Sequence, residues 1–130
     1  MGTRFLLDTN AVIYYLGNKL PTAASEFLDA SFEEEAFISV ISQIELLGWT
    51  PPQGQSLAPV ENFVNKATIY PLSPAVVQKT IEIRRSRKIK LPDAIIAATA
   101  LVNNFTIISR NMSDFTGIAG LTCLDPFTDL

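Results

Sequence analysis

Four acidic residues, Asp8, Glu45, Asp93 and Asp114, lie inside or against the apolar runs RFLLDTN, ISVISQIELLGW, LPDAIIAATALV and FTIISRNMSDF. A carboxylate beside core costs free energy unless it is paired, hydrogen-bonded or bound to a cation. The chain has no histidine and a single cysteine, which excludes Ser-His-Asp and Cys-His catalysis and every histidine-based zinc site. What remains is oxygen-ligand chemistry, and four carboxylates make a cage suited to a hard divalent cation such as Mg²⁺ or Mn²⁺. Brought together without a cation, they would repel and raise one another's pKa. A metal resolves that conflict, activates water and stabilises charge on a phosphoryl oxygen. No residue presents itself as a covalent nucleophile with an activating base, so the chemistry best served is phosphodiester hydrolysis by one or two metals.

The elements that must position these residues alternate between short β-like runs and helical stretches, which predicts α/β architecture on a largely parallel sheet. Arg4 to Leu7, Ala36 to Ser39, Thr68 to Leu72, Phe105 to Ser109 and Leu121 to Leu124 read as strands, the last at an edge. Helices are expected through Ala11 to Leu16, from near Thr22 through Leu28, and over Ile41 to Leu47, where Gly48, Pro51 and Pro52 stop the helix. Further helices run through Val60 to Lys66, from the Ser73 cap and Pro74 to about Lys88, and from Pro92 to about Asn104. Ligands of open parallel sheets bind beyond the carboxyl ends of the strands. Asp8 directly follows the first strand and Asp114 follows FTIIS within a few residues. Asp93 lies in the first turn of a helix that is apolar nearly all round and therefore buried, where it also gains from the helix dipole. Glu45 sits mid-helix, on a helix that starts at the same edge.

Each carboxylate has a plain structural alternative: a cap or Asx turn for Asp8, a dipole-favoured position for Asp93, an exposed helix position for Glu45 and a turn for Asp114. The EEE run at Glu33 to Glu35 reads as a solvated connection, Trp49 and Phe63 as packing residues, and Cys123 as a small core hydrophobe. With 130 residues and 48% hydrophobic content, the chain is expected to form one domain over 1–130. No apolar window approaches the length needed to cross a bilayer and no signal peptide is evident, so no membrane association is expected; the lone cysteine fits a reducing cytoplasm. The net charge of −3 argues against a broadly basic nucleic-acid coat but not against a nucleic-acid enzyme, because a bound metal reverses the local sign.

At LLDTNAVIYYL, ISVISQIELLG, LPDAIIAATAL and TIISRNMSDF the sequence resembles the PIN-domain family, and within it the VapC-type toxin ribonucleases of toxin–antitoxin pairs. The motifs occur in family order and span nearly the whole chain. The resemblance implies a three-layer α/β/α sandwich with a central, mostly parallel sheet and Mg²⁺- or Mn²⁺-dependent endoribonuclease activity on an RNA substrate. It assigns Asp8, Glu45 and Asp93 as the first three acidic metal ligands and catalytic residues. The fourth position is open between Asp114, in the recurring Asp-Phe pair, and Asn111, which is acidic in some members. Thr9, Asn10 and Ser109 match polar positions that support the carboxylates. The family also implies a homodimer and a cognate antitoxin that blocks the site. The run RRSRKIK, with Arg84, Arg85, Arg87, Lys88 and Lys90, reads either as a helix C-terminus with favourable cations or as a phosphate-contacting rim near Asp93, to which Arg110 would add. A non-catalytic PIN-like scaffold binding RNA or protein is the competing reading. A haloacid-dehalogenase-like phosphatase is disfavoured, because Asn10 stands where its second aspartate should be. Val12 to Leu16 form an apolar run too continuous for one buried stripe, so part of it is expected to be an interaction surface.

Overall fold

The computed structural model describes residues 2–130. A five-stranded sheet runs in the order β3-β2-β1-β4-β5, formed by β1 (Arg4–Leu7), β2 (Phe37–Ser39), β3 (Thr68–Tyr70), β4 (Phe105–Ile108) and β5 (Cys123–Leu124). Every neighbouring pair is parallel. Because side chains alternate between faces along a strand, the sheet splits its apolar residues cleanly. Leu6 and Ile107 face one cluster, under α5 (Pro74–Ser86) and α6 (Leu91–Asn103). Leu7, Ile38 and Ile108 face the other, with Val12 of α1 (Thr9–Leu16), Leu46 of α3 (Val40–Leu47) and Val60 of α4 (Ala58–Lys66). This is the α/β/α sandwich expected from the sequence. The chain order steps from β1 outward to β3, then returns to β4 on the other side of β1. The C-terminal edge between β1 and β4 is therefore the topological switch point, where such sheets bind ligands.

Local chemistry explains the site-bearing elements. Ser39 ends β2 and caps α3 with no residue between them, its Oγ accepting the Ser42 N–H at 3.1 Å. Ser73 caps α5 in the same way, accepting from Val76 N at 3.2 Å with Pro74 at the first helical position. In α6, Ala94 through Ala100 are all buried, so small side chains let the helix lie close against both the sheet and α5. It ends at Asn104 in the left-handed conformation, φ 59°, where asparagine is tolerated.

Some boundaries differ from the sequence reading. The helix starting at Thr22 runs on as α2 (Thr22–Glu34), so Glu33 and Glu34 close a helix rather than forming a connection. Its buried residues are Ala24 and Leu28, and its last turn stays helical while solvated. The final strand is only Cys123–Leu124. A four-residue helix absent from the sequence reading, α7 (Met112–Phe115), follows β4 and inserts Phe115 into the core at 1% exposure. The apolar run Val12 to Leu16 is largely covered. Tyr15 packs edge-on against Phe32 of α2, and Tyr14 packs edge-on against Phe127 in the segment after β5. Among the described residues no helix is long and apolar enough to cross a membrane.

Candidate active site

The switch-point edge carries a cavity of about 260 Å³ lined by Asp8, Thr9, Asn10, Ile13, Glu45, Trp49, Asp93 and Asn111. Asp8 caps α1 and is 5% exposed. One of its carboxylate oxygens accepts the Thr9 N–H at 2.8 Å and the other accepts the Ser109 hydroxyl at 2.9 Å. Ser109, fully buried just after β4, also accepts the Asn111 N–H at 2.9 Å. The two central strands therefore meet through the Asp8–Ser109 contact. The Asx-type cap and the site placement of Asp8 coexist in one side chain.

Glu45 is exposed on α3 but directed into the cavity, where its Oε1 accepts the Thr9 hydroxyl at 2.6 Å. Thr9 Oγ1 also lies 3.0 Å from the hydroxyl of buried Ser42. A hydroxyl carries one proton; with the Thr9 proton committed to the carboxylate, Ser42 donates to Thr9. Asp93 occupies the first turn of α6. Asp114, on α7, does not line the cavity. It hydrogen-bonds Asn111 Nδ2 on one side and the carboxyl of Asp93 on the other.

Burial is the main cause of a raised Asp8 pKa, opposed by its hydrogen bonds from Ser109 and Thr9 and reinforced by the charges of Glu45 and Asp114. Asp93 is pushed up to about 6, first by burial, then by its hydrogen bond to Asp114 and by the charges of Asp114, Asp8 and Glu45. The sole ion pair among the described residues joins Lys79 and Glu82, so no lysine or arginine neutralises this cluster. Of the four carboxylates expected around one pocket, Asp8, Glu45 and Asp93 line it and Asp114 does not; among the described residues no three acidic or cysteine side chains are drawn together as a ready metal site. The reason is local, since Ser109 and Thr9 hold Asp8, Thr9 holds Glu45, and Asn111 holds Asp114. The donor set still fits a hard cation. It consists of oxygens alone, and Cys123 is kept protonated by burial, its thiol pushed up to about 11. Mg²⁺ is commonly held by one or two carboxylates while keeping several waters, which an open site of this kind permits.

The basic cluster divides. Arg84 and Arg85 close the exposed end of α5, and Lys88 and Lys90 are also exposed. Arg87 is turned inward instead. Its guanidinium donates to the carbonyls of Thr116 at 2.9 Å and Ser113 at 3.4 Å, fastening α7. Arg110 stacks 3.8 Å over the Phe127 ring. Ser42 was missed in the sequence reading, although it lies three residues before Glu45 on the same helical face. Trp49 was assigned to packing; it packs beside the Leu7–Leu46 cluster and lines the acidic cavity as well.

Residues 5–121 match the family model of the PIN domain. Compared with curated proteins, the chain matches none. Among solved structures it is similar to a toxin–antitoxin complex from Klebsiella pneumoniae, with 27% identity, coverage of 94% of this chain and 97% of that one, and a TM-score of 0.69. DNA-bound VapBC from Salmonella typhimurium has 24% identity, 95% and 98% coverage and a TM-score of 0.78. VapBC2 from Rickettsia felis, bound to a DNA fragment from its promoter, has 21% identity, 94% and 98% coverage and a TM-score of 0.77.

Proposed function

This chain belongs to the PIN-domain family, and from that premise we propose that it is a divalent-metal-dependent endoribonuclease acting as the toxin of a toxin–antitoxin pair. The observation that carries the reading is the convergence of Asp8, Glu45 and Asp93 on one cavity at the switch point, with no lysine or arginine among the described residues in an ion pair with them. Asp8, Asp93 and Glu45 would hold Mg²⁺ or Mn²⁺, with Asp114 supporting through Asp93. When bound, such a cation supplies Lewis acidity at the phosphoryl oxygens and to the attacking water.

The chain's own residues do the positioning. The Thr9 N–H and Ser109 hydroxyl fix both oxygens of Asp8 in place, and the Thr9 hydroxyl, backed by Ser42, fixes Glu45. Without a cation, the repulsion between the carboxylates shows in the raised pKa of Asp93, which hydrogen-bonds Asp114. Asn10 and Asn111 line the same cavity, and we assign the exposed Arg84, Arg85, Lys88 and Lys90 as contacts for backbone phosphates.

A cluster of unpaired carboxylates is also a natural receptor for an arginine or lysine of an inhibitor. This supports an antitoxin that inserts a basic side chain, in keeping with the antitoxin-bound state of the VapBC neighbours. A homodimer is the assembly we favour, supported by exposed Val77 and Ile81 on α5 and exposed Leu72 just before it. The deciding experiment is cleavage of RNA with Mn²⁺ or Mg²⁺, with chelator, and with Asp8→Asn and Asp93→Asn. Cleavage that needs metal and both aspartates supports the proposal. RNA binding without cleavage under any metal would replace it with the scaffold reading.

A further inference from the structure

The acidic cavity has a neighbour. Ile13 and Trp49 line both it and an adjoining cavity of about 150 Å³, whose walls include Leu16, Lys19, Pro52, Gln55 and Ser56. Trp49 begins the loop after α3, one helical turn beyond Glu45 in the chain, with its N–H on the Leu46 carbonyl at 3.3 Å. Pro51 and Pro52 follow and restrict the backbone there. Trp49 is half-buried, packed against the Leu7–Leu46 cluster, and lines both cavities. The second cavity pairs this aromatic surface with polar edges. Ser56 Oγ accepts the Ala58 N–H at 3.0 Å and keeps its own proton to donate, the Gln55 amide offers donors and an acceptor, and Lys19 supplies a cation at the far wall.

Resting on the nuclease reading above, we propose that Trp49 is a stacking platform for one unpaired nucleobase of a single-stranded RNA, beside the phosphate held at the acidic cavity. Gln55 and Ser56 meet the edge of that base and Lys19 meets the next phosphate. Ile13 and Trp49 are common to the two cavities, so a phosphate at a cation held in one and a base in the other would lie on neighbouring parts of one strand. Proteins that hold single strands combine a stacked aromatic with flanking cations in this way. Trp49 is thus a substrate-positioning residue, and the neighbouring amide and hydroxyl are where base preference would arise.

The chain's single tryptophan makes the platform directly observable. A short single-stranded RNA of mixed sequence, fluorescently labelled at its end, is titrated into the full chain with Ca²⁺ in place of Mn²⁺. Anisotropy reports binding and tryptophan emission reports the platform. The expected result is emission quenching that saturates with the same midpoint as anisotropy. Trp49→Leu should weaken binding by about 5- to 150-fold, the worth of one base stack, and raise KM with Mn²⁺ while kcat changes little. Trp49→Phe should recover most of both, and Gln55→Ala should alter the preference among poly(A), poly(U) and poly(C). Binding with unchanged emission, or an unchanged KM for Trp49→Leu, would overturn the platform and leave the nuclease reading standing. Quenching by a basic, apolar peptide but not by RNA would also overturn it, assigning the cavity to a protein partner. No RNA binding and no cleavage with Mn²⁺ would overturn the nuclease reading and the platform together.

Discussion

Asp93 shows how a residue suited to a cation burdens the protein without one. Its pKa rises from the usual 3.8 to about 6. A carboxyl whose folded pKa is raised gives stability that is fully present below the unfolded pKa and is lost as pH rises through the folded one. In chelator, the native protein should therefore lose stability between about pH 4 and pH 6, with burial of Asp8 acting in the same direction. Asp93→Asn should be more stable than wild type at pH 7, by on the order of 1 kcal/mol once solvent screening at this half-buried site is allowed for. The difference should vanish near pH 4, and paired urea titrations at the two pH values would check it. Saturating Mg²⁺ should raise the melting temperature of wild type more than that of the variant. For activity, Asp8→Asn and Asp93→Asn should each lower cleavage at least about 100-fold, the scale of losing one preorganised charge-stabilising group. Circular dichroism should show both folded.

At the scale of elements, α7 is the least self-sufficient piece of the site. Four residues cannot sustain a helix by their own hydrogen bonds, so it is held by Phe115 in the core and by Arg87 on the Ser113 and Thr116 carbonyls. Those two hydrogen bonds commit the Arg87 guanidinium to α7 rather than to a phosphate, and its Nε is buried with no partner among the described residues. Arg87→Ala should destabilise by about 1.5–3 kcal/mol, the range for hydrogen bonds involving a charged group. Amide exchange should accelerate first over Met112–Thr116, whereas Arg84→Ala on the exposed end of α5 should leave both unchanged. In α6 the constraint is volume: Ala97 and Ala98 are fully buried, and Ala97→Leu should cost about 1–3 kcal/mol through overpacking. That loss should appear as a lower denaturant midpoint with an unchanged slope.

For the whole molecule, the expectation is a homodimer, because Val77 and Ile81, one turn apart on α5, and Leu72 just before the helix are apolar and exposed. Light scattering should give twice the chain mass at high concentration, and Val77→Asp with Ile81→Asp should shift it to the monomer; a strict monomer for wild type would sink the expectation. What the sequence alone determined is the local part of this protein. Turn residues, caps and hydrophobic period act over a few neighbours, so β1, the Ser73 cap of α5 and the stop of α3 at Gly48 were legible. So was the strand-end placement of Asp8, together with the absence of histidine that leaves oxygen chemistry alone. Tertiary structure decided the rest, because it depends on what lies opposite each side chain. The sequence could not show that Ser109 and Thr9 would occupy the oxygens of Asp8, or that Arg87 would turn inward to fasten α7. Nor could it show that Asn111 would line the cavity while Asp114 stands behind Asp93. Those partners are brought together across as many as 101 residues of chain, by sheet order and helix packing that no local pattern encodes.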